Sequence, residues 1–187
     1  MSGAAMELEF GLGVLGYHGC WDDVAFAEHN GFATAGFVDS PLLGGETFAC
    51  MALAAAATQR IRVGPFLAVP GNRSAAVTAQ GVATINRLAP GRAFLALGTG
   101  YTSRNTFGLP PVPAQTLADF ALDCRGLLDG EAIVHREGER SRRVEFAQGG
   151  GEGSQQRLIV RCHVGPIRLA ATPKACAKVA CAFGVAA

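Results

Sequence analysis

Residues 62–100 read RVGPFLAVPGNRSAAVTAQGVATINRLAPGRAFLALGTG, and two periodicities alternate within them. Arg62 to Val69 is a short apolar run of strand type, closed by the turn residues Pro70, Gly71 and Asn72. Ser74 stands where a helix N-cap belongs, and the spacing behind it predicts a helix to about Leu88. Pro90-Gly91 ends that connection, Ala93 to Leu97 (AFLAL) is a second, wholly apolar strand, and Gly98-Thr99-Gly100 follows it. A strand, a crossover helix and another strand make one βαβ unit, which places both strands parallel in one sheet.

The same grammar runs outward in both directions. Leu8 to Leu15 (LEFGLGVL) is strand-like, and Trp21 to Asn30 (WDDVAFAEHN) has helical spacing with Val24 and Ala27 inward. Gly31 takes the place of a C-cap glycine, with Phe32 as its hydrophobic contact. Thr34 to Asp39 (TAGFVD) reads as a strand broken by Ser40-Pro41, and Glu46 to Gln59 as an alanine-rich helix. After Gly100 comes a polar loop to Pro113, then a helix from about Ala114 to Leu128. Ala132–His135 and Arg143–Phe146 form a small hairpin turned at Glu137-Gly138. Residues 148–162, including QGGGEGSQQ, read as irregular. Ile167 to Ala171 (IRLAA) is the fifth strand of the sheet, and Pro173 opens a last helix. The fold class is therefore α/β, with short apolar strands covered on both faces. Periodicity alone does not choose between an open doubly wound sheet and a barrel. A dinucleotide-binding fingerprint fails, because Gly11 and Gly13 lie inside the first strand and no third glycine follows in place.

Composition excludes several function classes. Of the 187 residues, 49% are hydrophobic and 17% charged, with a net charge of +1, which suits one domain with a sizeable core. Nucleic-acid binding would need a basic face, and the densest basic run, Arg136 to Arg143, is interleaved with Glu137 and Glu139. The most apolar stretch, Phe48 to Thr58, is about half the ~20 residues that span a bilayer. No Lys or Arg precedes Arg60, so the basic region of a signal peptide is missing and the cytoplasm is the expected location. Cys20, Cys50, Cys124, Cys162, Cys176 and Cys181 show no C-x-x-C spacing and are expected to be buried thiols, with no metal site.

Several ordered motifs carry a family resemblance. Ala27-Glu28 with Gly31-Phe32, then Asp39-Ser40-Pro41-Leu42-Leu43-Gly44, then residues 55–62 (AAATQRIR) and 83–100 (ATINRLAPGRAFLALGTG), resemble the luciferase-like monooxygenase superfamily. Thr102 to Pro111, with Arg104, Gly108 and Leu109, is similar to its deazaflavin-dependent branch, which includes methylenetetrahydromethanopterin reductase. Residues 163–180 (HVGPIRLAATPKACAKVA) resemble a later family segment. The implied fold is a TIM barrel, of which a full copy takes ~250 residues. The expectation is a single incomplete barrel domain over 1–187. Residues 1–147 match well, 148–162 are irregular, 163–187 hold the fifth strand and its helix, and strands six to eight are missing as in a truncated member. Inward side chains such as Val14, Phe37, Phe66 and Leu95 would then face an open cavity, and exposed edges would favour a homo-oligomer.

Chemistry in such a barrel sits at the carboxyl ends of the strands. Asp39 and Ser40 are the catalytic candidates: a carboxylate and a hydroxyl that could bond a flavin edge or relay a proton, although Asp39 could equally cap the Pro41 turn. By resemblance, Phe66, Leu67 and Ala68 back the ring of the cofactor, with a non-prolyl cis peptide at Phe66–Leu67. The family often has Gly in place of Phe66 and Asn in place of Val69. Gly98, Thr99 and Gly100 could let backbone approach a ring or phosphate, or simply turn the chain. Arg104 could pair with an anionic cofactor tail or substrate, or be an ordinary loop arginine. The resemblance implies coenzyme F420 or FMN, and a hydride transfer or oxygen activation on a small organic substrate. The alternative is a non-catalytic half-barrel that dimerises or binds small molecules weakly.

Overall fold

Alternating strand and helix patterns become alternating elements in the computed structural model, which describes residues 8–147 and 159–163. In chain order these are β1 (Gly11–Val14), α1 (Cys20–His29), β2 (Thr34–Phe37), α2 (Thr47–Ala57), β3 (Arg62–Pro65), α3 (Ala75–Leu88) and β4 (Phe94–Gly98). There follow α4 (Tyr101–Asn105), α5 (Ala114–Leu128), β5 (Ile133–Glu137), β6 (Arg140–Val144) and β7 (Ile159–His163). β1, β2 and β3 pair in parallel in that order, and β4 pairs in parallel with β7. Single parallel bridges, Val63 to Ala93 and Ala68 to Leu97, join β3 to β4. The strand order is thus β1-β2-β3-β4-β7. α1, α2, α3 and α5 pack side by side over it.

Local signals explain most boundaries. Ser74 caps α3 by accepting from Val77 N, and Glu46 caps α2 by accepting from Ala49 N at 2.7 Å. Gly31 has φ 83, and Phe32 behind it packs on the core, as its C-cap position requires. Two expectations change. The polar loop after Gly100 contains α4, and the strand beside β4 is Ile159–His163, all but its last residue inside the 148–162 stretch read as irregular. Its sequence IVRCH mixes charge with apolar residues straight after a glycine-rich run, so hydropathy did not mark it. Pairing with β4 from Phe94–Ile159 to Gly98–His163 makes it a strand. The segments 167–171 and 173–187 lie outside the described residues.

The pleat decides which side chains meet the helices. Leu12, Val14, Ala35, Phe37, Val63, Leu95 and Leu97 all join the core between sheet and helices. Val14, Phe37 and Leu95 therefore do not face an open cavity, which corrects the expectation for three of four inward residues. A shift of one position reverses a strand's faces, and four-residue strands give little pattern to fix it. Only Phe66 points the other way. The inner face is lined by Gly11, Gly13, Thr34, Gly36, Phe94 and Ala96, and forms an open groove of about 370 Å³. Glycine leaves room there for rings: a Cβ on Gly36 would lie 2.6 Å from Phe66 Cβ.

At the amino ends of the strands the structure is tied by side chains to backbone. The Glu28 carboxylate accepts from the N–H groups of Gln59 (3.1 Å), Arg60 (2.6 Å) and Ile61 (2.7 Å). Arg92 donates to the carbonyls of Ala55 (2.9 Å), Thr58 (2.9 Å) and Ile61 (3.0 Å). This end of a barrel serves stability.

Candidate functional site

Parallel strands deliver four loops to one end of the sheet, residues 15–19, 38–46, 66–74 and 99–113. Asp39, at the end of β2, is 2% exposed. Its Oδ1 accepts from Arg73 Nη1 (2.7 Å) and Thr47 Oγ1 (3.2 Å), and its Oδ2 from Val69 N and Asn72 Nδ2, both at 3.3 Å. A carboxylate has about four acceptor sites. All are occupied from within the protein. Arg73 reaches further, to Glu46 at 2.5 Å, and its guanidinium lies 4.9 Å from the Phe48 ring centre. Burial alone would pull the Arg73 pKa down, but Asp39 and Glu46 outweigh it and raise it. Burial pushes the Glu46 carboxyl up, while the Ala49 N–H and Arg73 hold it below the usual carboxylate range. Ser40 beside Asp39 is half-buried, and its carbonyl accepts from Leu43 N.

The loops after β3 and β4 interlock. The peptide between Phe66 and Leu67 is cis, at the place that the resemblance implies. Beyond it Ala68 bonds across to β4: Ala68 N donates to Ala96 O (2.8 Å), and Gly98 N to Ala68 O (3.0 Å). A Cβ on Gly98 would lie 2.6 Å from Leu67 Cδ1, and one on Gly100 would lie 2.2 Å from Val69 Cγ1. Gly100 also has φ 79, a left-handed conformation that favours glycine. The space above both glycines is therefore filled by Leu67 and Val69 of the neighbouring loop. Thr99 is half-buried and its carbonyl accepts from Val112 N. Asn72 Nδ2 donates to Ser103 Oγ at 2.8 Å, which closes a chain of side chains from Arg73 through Asp39 and Asn72 to Ser103.

Arg104 is half-buried on this rim. Its Nε donates to Pro110 O at 2.6 Å, and its guanidinium lies across Gly71, whose Cβ position would be 2.5 Å from Nη1. The carboxylates of this end, Asp39 and Glu46, are both engaged by Arg73 instead. Phe66 is 59% exposed toward the groove. The structure so gathers Asp39, Phe66–Ala68, Gly98–Gly100 and Arg104 at one end of the sheet. It adds Asn72, Arg73 and Ser103, which no motif marked; the turn cluster Pro70–Ser74 was the available hint. His18, on the first loop, meets the Trp21 ring edge-on at 5.3 Å, while Phe26 is exposed. Near this end lie Cys20 and Cys50, buried thiols. Burial, then the Cys20 thiol and Glu46, push Cys50 up to about 11. Among the described residues no group of His, Cys, Asp and Glu could hold a metal ion. No helix among them is long and apolar enough to cross a membrane.

The model of one family, the luciferase-like monooxygenases, matches residues 14–184. The chain belongs to the luciferase-like monooxygenase family. Among solved structures, this luciferase-like chain is similar to the coenzyme F420-dependent tetrahydromethanopterin reductase of Methanopyrus kandleri. That match has a TM-score of 0.62 at 24% identity, over 86% of this chain and 50% of the other. It is also similar to the FMN-bound oxygenating component of 3,6-diketocamphane monooxygenase from Pseudomonas putida, with a TM-score of 0.63 at 13% identity, over 84% and 51% of the two chains. A monooxygenase of Streptomyces bottropensis matches with a TM-score of 0.62 at 16% identity, over 84% and 53%. The chain thus spans about half the length of these structures, and its fold is a partial barrel of the TIM type.

Proposed function

We propose that this luciferase-like chain binds coenzyme F420 or FMN at the carboxyl ends of β1 to β4 and acts as an oxidoreductase or monooxygenase on a small organic substrate. One observation carries the proposal: at the carboxyl ends of the strands the neighbouring β3 and β4 loops carry an exposed aromatic, Phe66, and a half-buried cation, Arg104, on a rim whose carboxylates are engaged by Arg73. An exposed ring and a cation on neighbouring strand-end loops suit a ligand with a planar ring and an anionic tail. When bound, such a ring supplies hydride transfer or oxygen activation. The chain's residues supply the rest. Phe66, Leu67 and Ala68 support the ring, Thr99 borders it, and Arg104 takes the anionic group, while Gly98 and Gly100 admit Leu67 and Val69 of the neighbouring loop. Asp39, with its acceptor sites occupied, holds the β3 loop in place, and Ser40 keeps a hydroxyl for the ring edge or for a proton.

The cofactors named for two of the similar structures support the choice. The test is a titration of the 187-residue protein with F420 and with FMN, followed by absorbance and fluorescence. Saturable binding that Arg104→Gln weakens about tenfold is the expected result. Failure to bind either cofactor would overturn the proposal. It would favour the second reading, a non-catalytic partial barrel, for which the open inner groove of about 370 Å³ speaks.

A further inference from the structure

We propose that Asn72 is a positioning residue that sets the spacing between the strand ends forming the ring site, a role that rests on the function proposed above. Its amide nitrogen donates to Ser103 Oγ (2.8 Å), the Asp39 carbonyl (3.1 Å) and Asp39 Oδ2 (3.3 Å). The Ser103 hydroxyl donates back to Asn72 Oδ1 at 3.2 Å. One side chain thereby links the end of β2, its own loop after β3 and the helix after β4. Ser103 is 3% exposed, so water does not readily take over this link.

Backbone bonds of Ala68 to Ala96 and Gly98 pair the strand ends, and the loops above them also meet through Leu67 over Gly98, Val69 over Gly100 and the Arg104 guanidinium across Gly71. The backbone bonds fix the spacing at Ala68, and four to five residues beyond it the paired amide and hydroxyl of Asn72 and Ser103 fix distance and angle where the packing of Leu67 and Val69 has weak directional preference. A planar ligand lying across the β3 and β4 loops would sense that spacing directly. The same amide bonds to both the carbonyl and the carboxylate of Asp39. Asn72 therefore also holds the carboxylate that receives Val69 N, the backbone just beyond the Phe66–Ala68 segment.

The test compares Asn72→Ala, Ser103→Ala, the double variant and Ser103→Thr in the full chain. Each is titrated with F420 and FMN, and each is melted without cofactor. Asn72→Ala and Ser103→Ala are expected to weaken cofactor binding about tenfold and to alter the absorbance and fluorescence of the bound cofactor. The double variant should be no weaker than Asn72→Ala, because both remove one link. Ser103→Thr, which keeps the hydroxyl, should retain affinity and spectrum. Should Asn72→Ala fail to fold, Ser103→Ala and its threonine rescue carry the comparison. Unchanged affinity and spectrum, additive losses, or a lower melting temperature alone would overturn the positioning role while the proposed function stands. An unaltered chain that binds neither cofactor would overturn the function, and the positioning role with it.

Discussion

Gly100 illustrates how one residue's role depends on what lies above it. With φ 79 and Val69 Cγ1 already in the place a Cβ would take, Gly100→Val meets backbone and packing penalties together. The expected loss is about 3 kcal/mol or more, seen as a lowered melting temperature without any cofactor present. A variant that melts like the parent would return the site above Gly100 to open space. Glu28 acts at the opposite end. Burial raises its pKa, but the N–H groups of Ile61, Arg60 and Gln59 outweigh this and hold it below the usual glutamate range. A lowered folded-state pKa means stability present above the ordinary glutamate range and lost as pH falls through the lower value. Glu28→Gln should therefore cost about 1–2 kcal/mol near neutral pH and flatten the acid limb of a stability curve. An unchanged acid limb would show that Glu28 is not the group responsible. Cys50, raised to about 11, should resist alkylation at pH 8 while the protein is folded. Rapid labelling of Cys50 in the native state would contradict its burial.

At the scale of elements, capping and loop interlock carry different amounts of stability. Ser74 accepts from Val77 N at the start of α3, and Ser74→Ala should cost about 1 kcal/mol, read as a modest fall in melting temperature. No change would mean that another group takes over the N–H. The Ser74 cap, the C-cap Gly31 with Phe32, and the order of β1 to β4 with their helices were legible from short-range residue patterns. β7 was not, because its strand character comes from pairing with β4. α4 was hidden for a related reason: five residues starting after a left-handed Gly100 are too few to show a period.

For the molecule as a whole, the described sheet has β1 and β7 as its outer strands, and its inner face leaves Phe66, Phe10 and a groove of about 370 Å³ open. Unpaired edges and apolar patches favour association. A protein of these 187 residues is expected to form dimers or larger species at micromolar concentration, measured by light scattering. A monodisperse monomer with a cooperative melt would show that its edges are covered within one chain. The sequence by itself determined the alternation of strand and helix, the parallel sheet and the family, because each rests on runs of neighbouring residues. Only the tertiary structure decided what occupies the candidate site. Asp39 receives Val69, Asn72 and Arg73 from 30 to 34 residues away, and Leu67 and Val69 fill the space over Gly98 and Gly100. Such contacts follow from how one loop packs on the next, which no local pattern of residue types records.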